Sequence, residues 1–202
     1  RRQRQMCIRD SYHTLALNGA VSWGQYTYDS NPYYLQTQDN SGDIVSDGYV
    51  YWKDFRVEST PQTAVNVGLS WRSNNNIYLS ADFNYYNNMY LSMSPIYRTD
   101  AVITGGMAPG DIEHLRRQEK FDSAYTLNAS IGKNWYIHRK YTLGFSLDVK
   151  NILNNQDIKT GGYEQTRLSK NTETTVTTYQ AFDSKYFYMF GTTYYLNLYF
   201  RF

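Results

Sequence analysis

The residues best equipped for chemistry in this 202-residue chain are three histidines, one cysteine and a set of aromatics between alternating segments. His114 stands in the charged stretch Asp111-Ile112-Glu113-His114-Leu115-Arg116-Arg117. Zinc or acid–base chemistry needs partners at ligand spacing, and the stretch has neither an H-E-x-x-H pair nor a second His. A solvated loop, one helical turn long, accounts for it. His13 and His138 fall at the ends of alternating segments, as interfacial polar residues do. The Ser, His and Asp residues are scattered, and no G-x-S-x-G elbow presents a nucleophile. Gly105-Gly106 and Gly161-Gly162 lack the helix and Lys of a phosphate loop. Asn128-Ala129-Ser130 spells a glycosylation acceptor, but in mid-strand rather than in a surface loop. The single Cys7 excludes a disulfide framework and a Cys-based metal site. The sequence therefore carries no catalytic residue, metal site or cofactor signal, and is not read as an enzyme.

Ligand contact is a different matter. Tyr33, Tyr34, Tyr49, Tyr51 and Trp52 crowd one long connection, and Tyr90, Tyr97, Arg98 and Asp100 another. Aromatic faces beside amides, a carboxylate and a guanidinium suit sugar rings, which offer C–H faces and hydroxyl edges. Trp52, Tyr90, Tyr97, Arg98 and Asp100 are the candidate ligand-binding residues. For any one Tyr, belt or loop packing is the simpler explanation; ligand contact is expected of the set.

Composition limits the scaffold that can hold them. Aromatics make up 17% of the chain, charged residues 19%, and there are only four Pro, which excludes a disordered chain. A mean hydropathy of −0.65, with no apolar run approaching the roughly 18 residues of a helical span, excludes a transmembrane helix. It leaves open a transmembrane β-barrel, whose strands are apolar only at alternate positions. A net charge of +2 with both signs mixed along the chain gives no nucleic-acid footprint.

Six segments alternate with period two: residues 14–24, 63–72, 77–86, 125–136, 141–150 and 188–202. In 63–72, Val65, Val67, Leu69 and Trp71 oppose Ala64, Asn66, Gly68 and Ser70. In 141–150, Leu143, Phe145, Leu147 and Val149 oppose Thr142, Gly144, Ser146 and Asp148. One face is large and apolar, with Lys133 its one charge. The other is small and polar. The connections alternate as well, long at 25–62, 87–124 and 151–187, tight at 73–76 and 137–140. Unstructured connections above about 15 residues are uncommon in compact domains, whereas outer-membrane barrels have short periplasmic turns and long extracellular loops. Aromatics gather at both strand ends, Trp71, Trp135, Tyr136 and Tyr141 beside the tight turns and Tyr26, Tyr28, Tyr85 and Tyr86 beside the long ones, as in two interfacial girdles. The sequence thus predicts an all-β, antiparallel transmembrane β-barrel segment in the bacterial outer membrane. Six strands are too few to close, since such barrels start at about eight strands, and open edges are untenable in lipid. The expectation is the C-terminal end of a larger barrel.

Residues 1–11, RRQRQMCIRDS, have four Arg and no apolar period, and no signal-peptide h-region follows. The string resembles the translation of a sequencing adapter. It is set apart from the fold, leaving 12–202 as the barrel portion.

Within that portion TPQTAVNVGLSWR, NNMYLSMSPIYRTD, YTLNASIGKNW, SLDVKNILNNQDIKTGGYEQTR and the terminal GTTYYLNLYFRF resemble the C-terminal barrel of TonB-dependent receptors, most closely the SusC-like type. The resemblance implies a barrel of about 22 strands around an N-terminal plug bearing the TonB-contacting segment. It implies import of glycans or similar nutrients, a SusD-like lipoprotein partner, and TonB-coupled use of the proton-motive force. It also implies that the terminal Phe202 is an assembly signal read by the barrel-assembly machinery. A siderophore-type receptor of the same superfamily and a soluble carbohydrate-binding β-sandwich are the alternative readings, with a barrel-embedded hydrolase more distant.

Overall fold

The computed structural model describes residues 4–12, 15–105, 107–138, 140–170 and 177–202. The chain is antiparallel β throughout its main sheet. Strands β1 (Arg4–Tyr12), β2 (Leu15–Trp23), β5 (Thr63–Arg72), β6 (Ile77–Asn87), β7 (Ala124–Ile137), β8 (Tyr141–Lys150) and β11 (Thr193–Arg201) form one seven-stranded sheet, each beside its predecessor in that series. Two hairpins stand outside it. One pairs β3 (Tyr33–Thr37) with β4 (Ile44–Tyr49), the other β9 (Lys159–Lys170) with β10 (Thr177–Tyr188). Two short helices, α1 (Asp100–Ile103) and α2 (Pro109–Arg116), lie in the connection between β6 and β7.

The register explains why these segments are strands of one sheet. Leu17, Leu69, Ala81, Ala129, Val149 and Tyr194 are successive cross-strand partners from β2 to β11. Leu15, Trp71, Leu79, Ile131, Leu147 and Leu196 form a second such row. Between these rows the opposite face aligns Ala16, Ser70, Ser80, Ser130, Asp148 and Tyr195. A slip of one residue in any strand would put an apolar row among polar ones, so the pattern itself fixes the pairing. Hydrogen bonds add to it on the polar face. Asn66 Nδ2 donates to Asn84 Oδ1 at 2.8 Å, and the Ser80 and Ser130 hydroxyls pair at 2.7 Å.

Glycines on that face make room for tyrosines. Tyr78 lies over its partner Gly132, and Tyr199 over Gly144, where a Cβ would collide with each ring. The Tyr199 hydroxyl then reaches Asn134 Oδ1. Covering a strand glycine with a cross-strand aromatic ring restores the packing that the missing side chain forfeits.

At one rim the strands are joined tightly. Asn76 (φ 56°) closes the β5–β6 turn, with Ser73 N–H donating to Ile77 O at 2.8 Å. His138 (φ 53°) has the matching place between β7 and β8. Asn and His tolerate this left-handed conformation better than most residues. His13 lies outside the described residues.

The buried clusters lie outside the sheet except for Ala124, the first residue of β7. Met89, Leu91, Phe121, Ala124 and Ile158 form one apolar cluster, and Val50, Trp52 and Met93 another. Both sit beyond the other rim, where the long connections fold over one another. Meanwhile the apolar face of the sheet has no covering layer among the described residues: Leu17 is 47% exposed and Leu198 70%.

Three features differ from the sequence expectation. Residues 4–11, within the stretch 1–11 set apart from the fold on composition, run with Tyr12 as β1 along the edge of β2. A sheet edge offers its main-chain N–H and C=O groups to any extended segment, whatever its side chains. Residues 188–202 are not one strand: Tyr188 ends β10, and β11 begins at Thr193. The break is held by Asn151, whose Nδ2 donates to Phe190 O at 3.0 Å while its own carbonyl accepts the Thr192 hydroxyl at 2.8 Å. The long connections also carry the two hairpins, which the sequence reading left as loop.

Candidate functional site

Arg98 is the centre of the region beyond the long-connection rim. Pro95 opens a single 3-10 turn (Pro95–Arg98) that delivers Arg98 inward, where it is 2% exposed. A guanidinium carries five donors and requires acceptors when buried. Nε donates to Leu115 O at 2.9 Å and Nη1 to Ser94 O at 2.9 Å. The rest of the fork engages the Glu164 carboxylate of β9, with Nη2 to Oε2 at 2.8 Å and Nη1 to Oε1. Ser94 N–H also donates to Glu164 Oε1, at 2.6 Å. The Arg98 guanidinium lies 5.7 Å from the Phe55 ring centroid. The bidentate pair therefore ties the second long connection to the third, while the first meets Arg98 through Phe55 and through Tyr51 N–H, which donates to Arg98 O at 2.8 Å.

A second fastening is made by Glu119. It accepts the Tyr186 hydroxyl at 2.7 Å and the Ser184 hydroxyl at 3.2 Å, with Lys159 Nζ 3.6 Å away. The Tyr186 phenol is raised above its ordinary range, first by that hydrogen bond to a carboxylate. Lys159 also stands 3.7 Å above the Tyr186 ring. The β9–β10 hairpin is thus pinned to the second connection at both Glu164 and Glu119.

The candidate residues from the sequence are distributed around this frame. Trp52 is buried, edge-on to Tyr28 at 5.5 Å and near Phe55, so its ring meets protein. Asp100 accepts Tyr49 N–H at 2.6 Å and the Tyr51 hydroxyl, a bond that raises the Tyr51 phenol above its usual range. Tyr90 is half-buried, and its carbonyl accepts Ser59 N–H at 3.1 Å. Arg98 is consumed by Glu164. Tyr97 alone of the five lines a cavity of about 630 Å³ between the second connection and the β9–β10 hairpin. Phe202, the proposed assembly signal, is 94% exposed just past β11. His114 is exposed on α2, 5.4 Å from the Tyr179 ring.

That cavity falls in the size range of small-molecule sites, about 300–1,000 Å³. Its wall includes Tyr163, Gln165 and Arg167 from β9 and Phe182 from β10. Sequence reasoning passed over all four. The alternation Tyr163, Gln165, Arg167 was there to be read, but both faces of β9 are polar and the contrast that marks a strand was missing. Chemically, the wall offers aromatic faces, an amide, hydroxyls and a guanidinium, and no nucleophile beside a base.

Comparison of this sequence and fold with protein-family models, curated proteins and solved structures returned no match.

Proposed function

We propose that this chain is part of the wall of an outer-membrane β-barrel transporter, a SusC-like TonB-dependent receptor that imports glycans or similar nutrients. The observation that carries the reading is the uncovered apolar face, two cross-strand rows without a charged residue spanning β2 to β11. Lipid is the solvent such a face requires. The opposite face, small, polar and hydrogen-bonded across strands, suits a lumen. Tight turns at one rim and folded excursions at the other match the periplasmic and extracellular ends of such barrels.

In this reading the sheet continues into further strands of a barrel of about 22, because an unpaired edge in hydrocarbon leaves its main-chain groups unsatisfied. A SusD-like lipoprotein delivers substrate to the extracellular excursions. TonB, acting on a plug, opens the lumen with energy from the inner membrane, and the barrel-assembly machinery inserts the protein.

The test is fractionation of the full-length protein from its host. It should sediment with outer membranes, resist carbonate extraction and change mobility on heating in detergent. Recovery as a soluble, detergent-independent protein would sink the proposal. An epitope at Asp111 should label on intact cells and one at Asn75 should not; the reverse would invert the topology. Loss of growth on oligosaccharide rather than on chelated iron, after gene deletion, separates a nutrient importer from a siderophore receptor.

A further inference from the structure

The 630 Å³ cavity beside the β9–β10 hairpin has an unbalanced charge. Glu164 reaches its wall, but that carboxylate is bound by the Arg98 fork and by Ser94 N–H. Arg167 is in the opposite situation: it has no carboxylate partner among the described residues. Its guanidinium lies 5.7 Å from the Phe182 ring centroid, an aromatic contact that uses none of its hydrogen-bond donors. Tyr97, Tyr163 and Phe182 give the same wall ring faces, and Gln165 an amide. The net charge presented to an occupant is therefore positive, on a surface otherwise built for stacking and neutral hydrogen bonds.

We propose that this cavity binds an oligosaccharide bearing an anionic group, a uronate carboxylate or a sulfate, with Arg167 contacting the anion and Tyr163 and Phe182 stacking on sugar rings. The inference rests on the nutrient-import reading and adds the substrate class. An acidic peptide would offer the same carboxylate, but peptides commonly dock by adding a strand to an open edge. Here β9 is engaged beside the cavity, with Ser92 bridged to Tyr163 and Glu164 N–H donating to Ser92 O at 3.3 Å. A sugar needs no such edge. Its C–H faces stack and its hydroxyls reach Gln165 and Ser94.

Calorimetric titration of the full-length protein in detergent decides the matter, with tetragalacturonate, a sulfated chondroitin tetrasaccharide, neutral maltotetraose and tetraglutamate as probes. At least one acidic sugar should bind about tenfold more tightly than maltotetraose, the scale of one charge-assisted hydrogen bond. Which of the two does so identifies the anion. Arg167→Gln should erase that preference, Arg167→Lys should keep part of it, and raised salt should weaken it. An acidic preference that survives Arg167→Gln, its absence from the parent protein, or tighter binding of tetraglutamate would each overturn the inference. A protein that inserts in membranes yet binds no sugar overturns this inference alone. One that stays soluble overturns the import reading, and the same titration on it still decides what the cavity holds.

Discussion

In the main sheet Leu17, Leu69 and Leu196 are 47%, 45% and 60% exposed, whereas Leu91, Leu115 and Phe121 in the long connections are only 1–2% exposed. The contrast is the reverse of the usual one, in which regular elements bury their apolar faces and connections stay wet. The connections satisfy themselves: they have an apolar core, a buried ion pair and a carboxylate hub. The sheet pairs the main chain of its inner strands and bonds across its polar face, but leaves its apolar face uncovered among the described residues. A region of chain that closes its own accounts behaves as soluble protein. One that leaves a continuous apolar face uncovered requires something else to cover it.

The strongest way to break this comparison is to spoil the self-sufficient half. Arg98→Ala strips Glu164, 14% exposed, of its partner. Removing one member of a buried pair costs about 3–5 kcal/mol, and the hairpin should become a preferred site of limited proteolysis. Replacing Arg98 and Glu164 together by Met and Leu should recover most of the loss. Resistance unchanged in the single variant would mean that the ion pair does not hold the hairpin.

The other half is tested by Leu147→Arg, which places a charge in the centre of the apolar face between Ile131 and Leu196. It should cost about 2–4 kcal/mol in bilayer assembly, and Ser146→Arg on the opposite face far less. Measured by folding into liposomes, equal damage from both would erase the distinction between the faces.

Asn151 joins the two regions. Its side chain donates to Asn155 O and Phe190 O and accepts Asn155 N–H, and its backbone is left-handed at φ 51°. Asn151→Ala should cost about 2 kcal/mol, lost bonds and strain together. Asn151→Gly keeps the backbone and isolates the bonds. If both variants melt like the parent, the hinge between β8 and β11 is held by something else.

The smallest effect belongs to the polar face. Gly132→Ala pushes the Tyr78 ring aside and should cost about 1 kcal/mol, at the low end for overpacking because the ring can swing. Adding Tyr78→Ser should remove the clash, and thermal melts of the two variants together measure it.

Much of the sheet was legible in the residues. The expected segments 63–72 and 141–150 coincide with β5 and β8, because period-two contrast between Val or Leu and Ser, Gly or Asn is a local property. The same reasoning failed for β9 and β10, whose two faces differ little, and for 188–202, where Tyr188, Phe190 and Tyr194 continue the alternation across a real break. Arg98 shows the limit at the site. Beside Tyr97 it reads as ligand contact, and nothing in its neighbours announces Glu164, which is 66 residues away.

The sequence by itself determined that the chain is an antiparallel sheet with one apolar face, since strand periodicity and cross-strand matching depend on residues close along the chain. Only the tertiary structure decided where the core lies, which of two charged residues is spent on an internal partner, and which is left facing a cavity. Those outcomes depend on which distant segments meet, and a pairing across dozens of residues has no period to betray it. Arg98 and Arg167 are chemically alike; the fold, by giving Glu164 to one and Phe182 to the other, makes the first a fastening and the second an available cation.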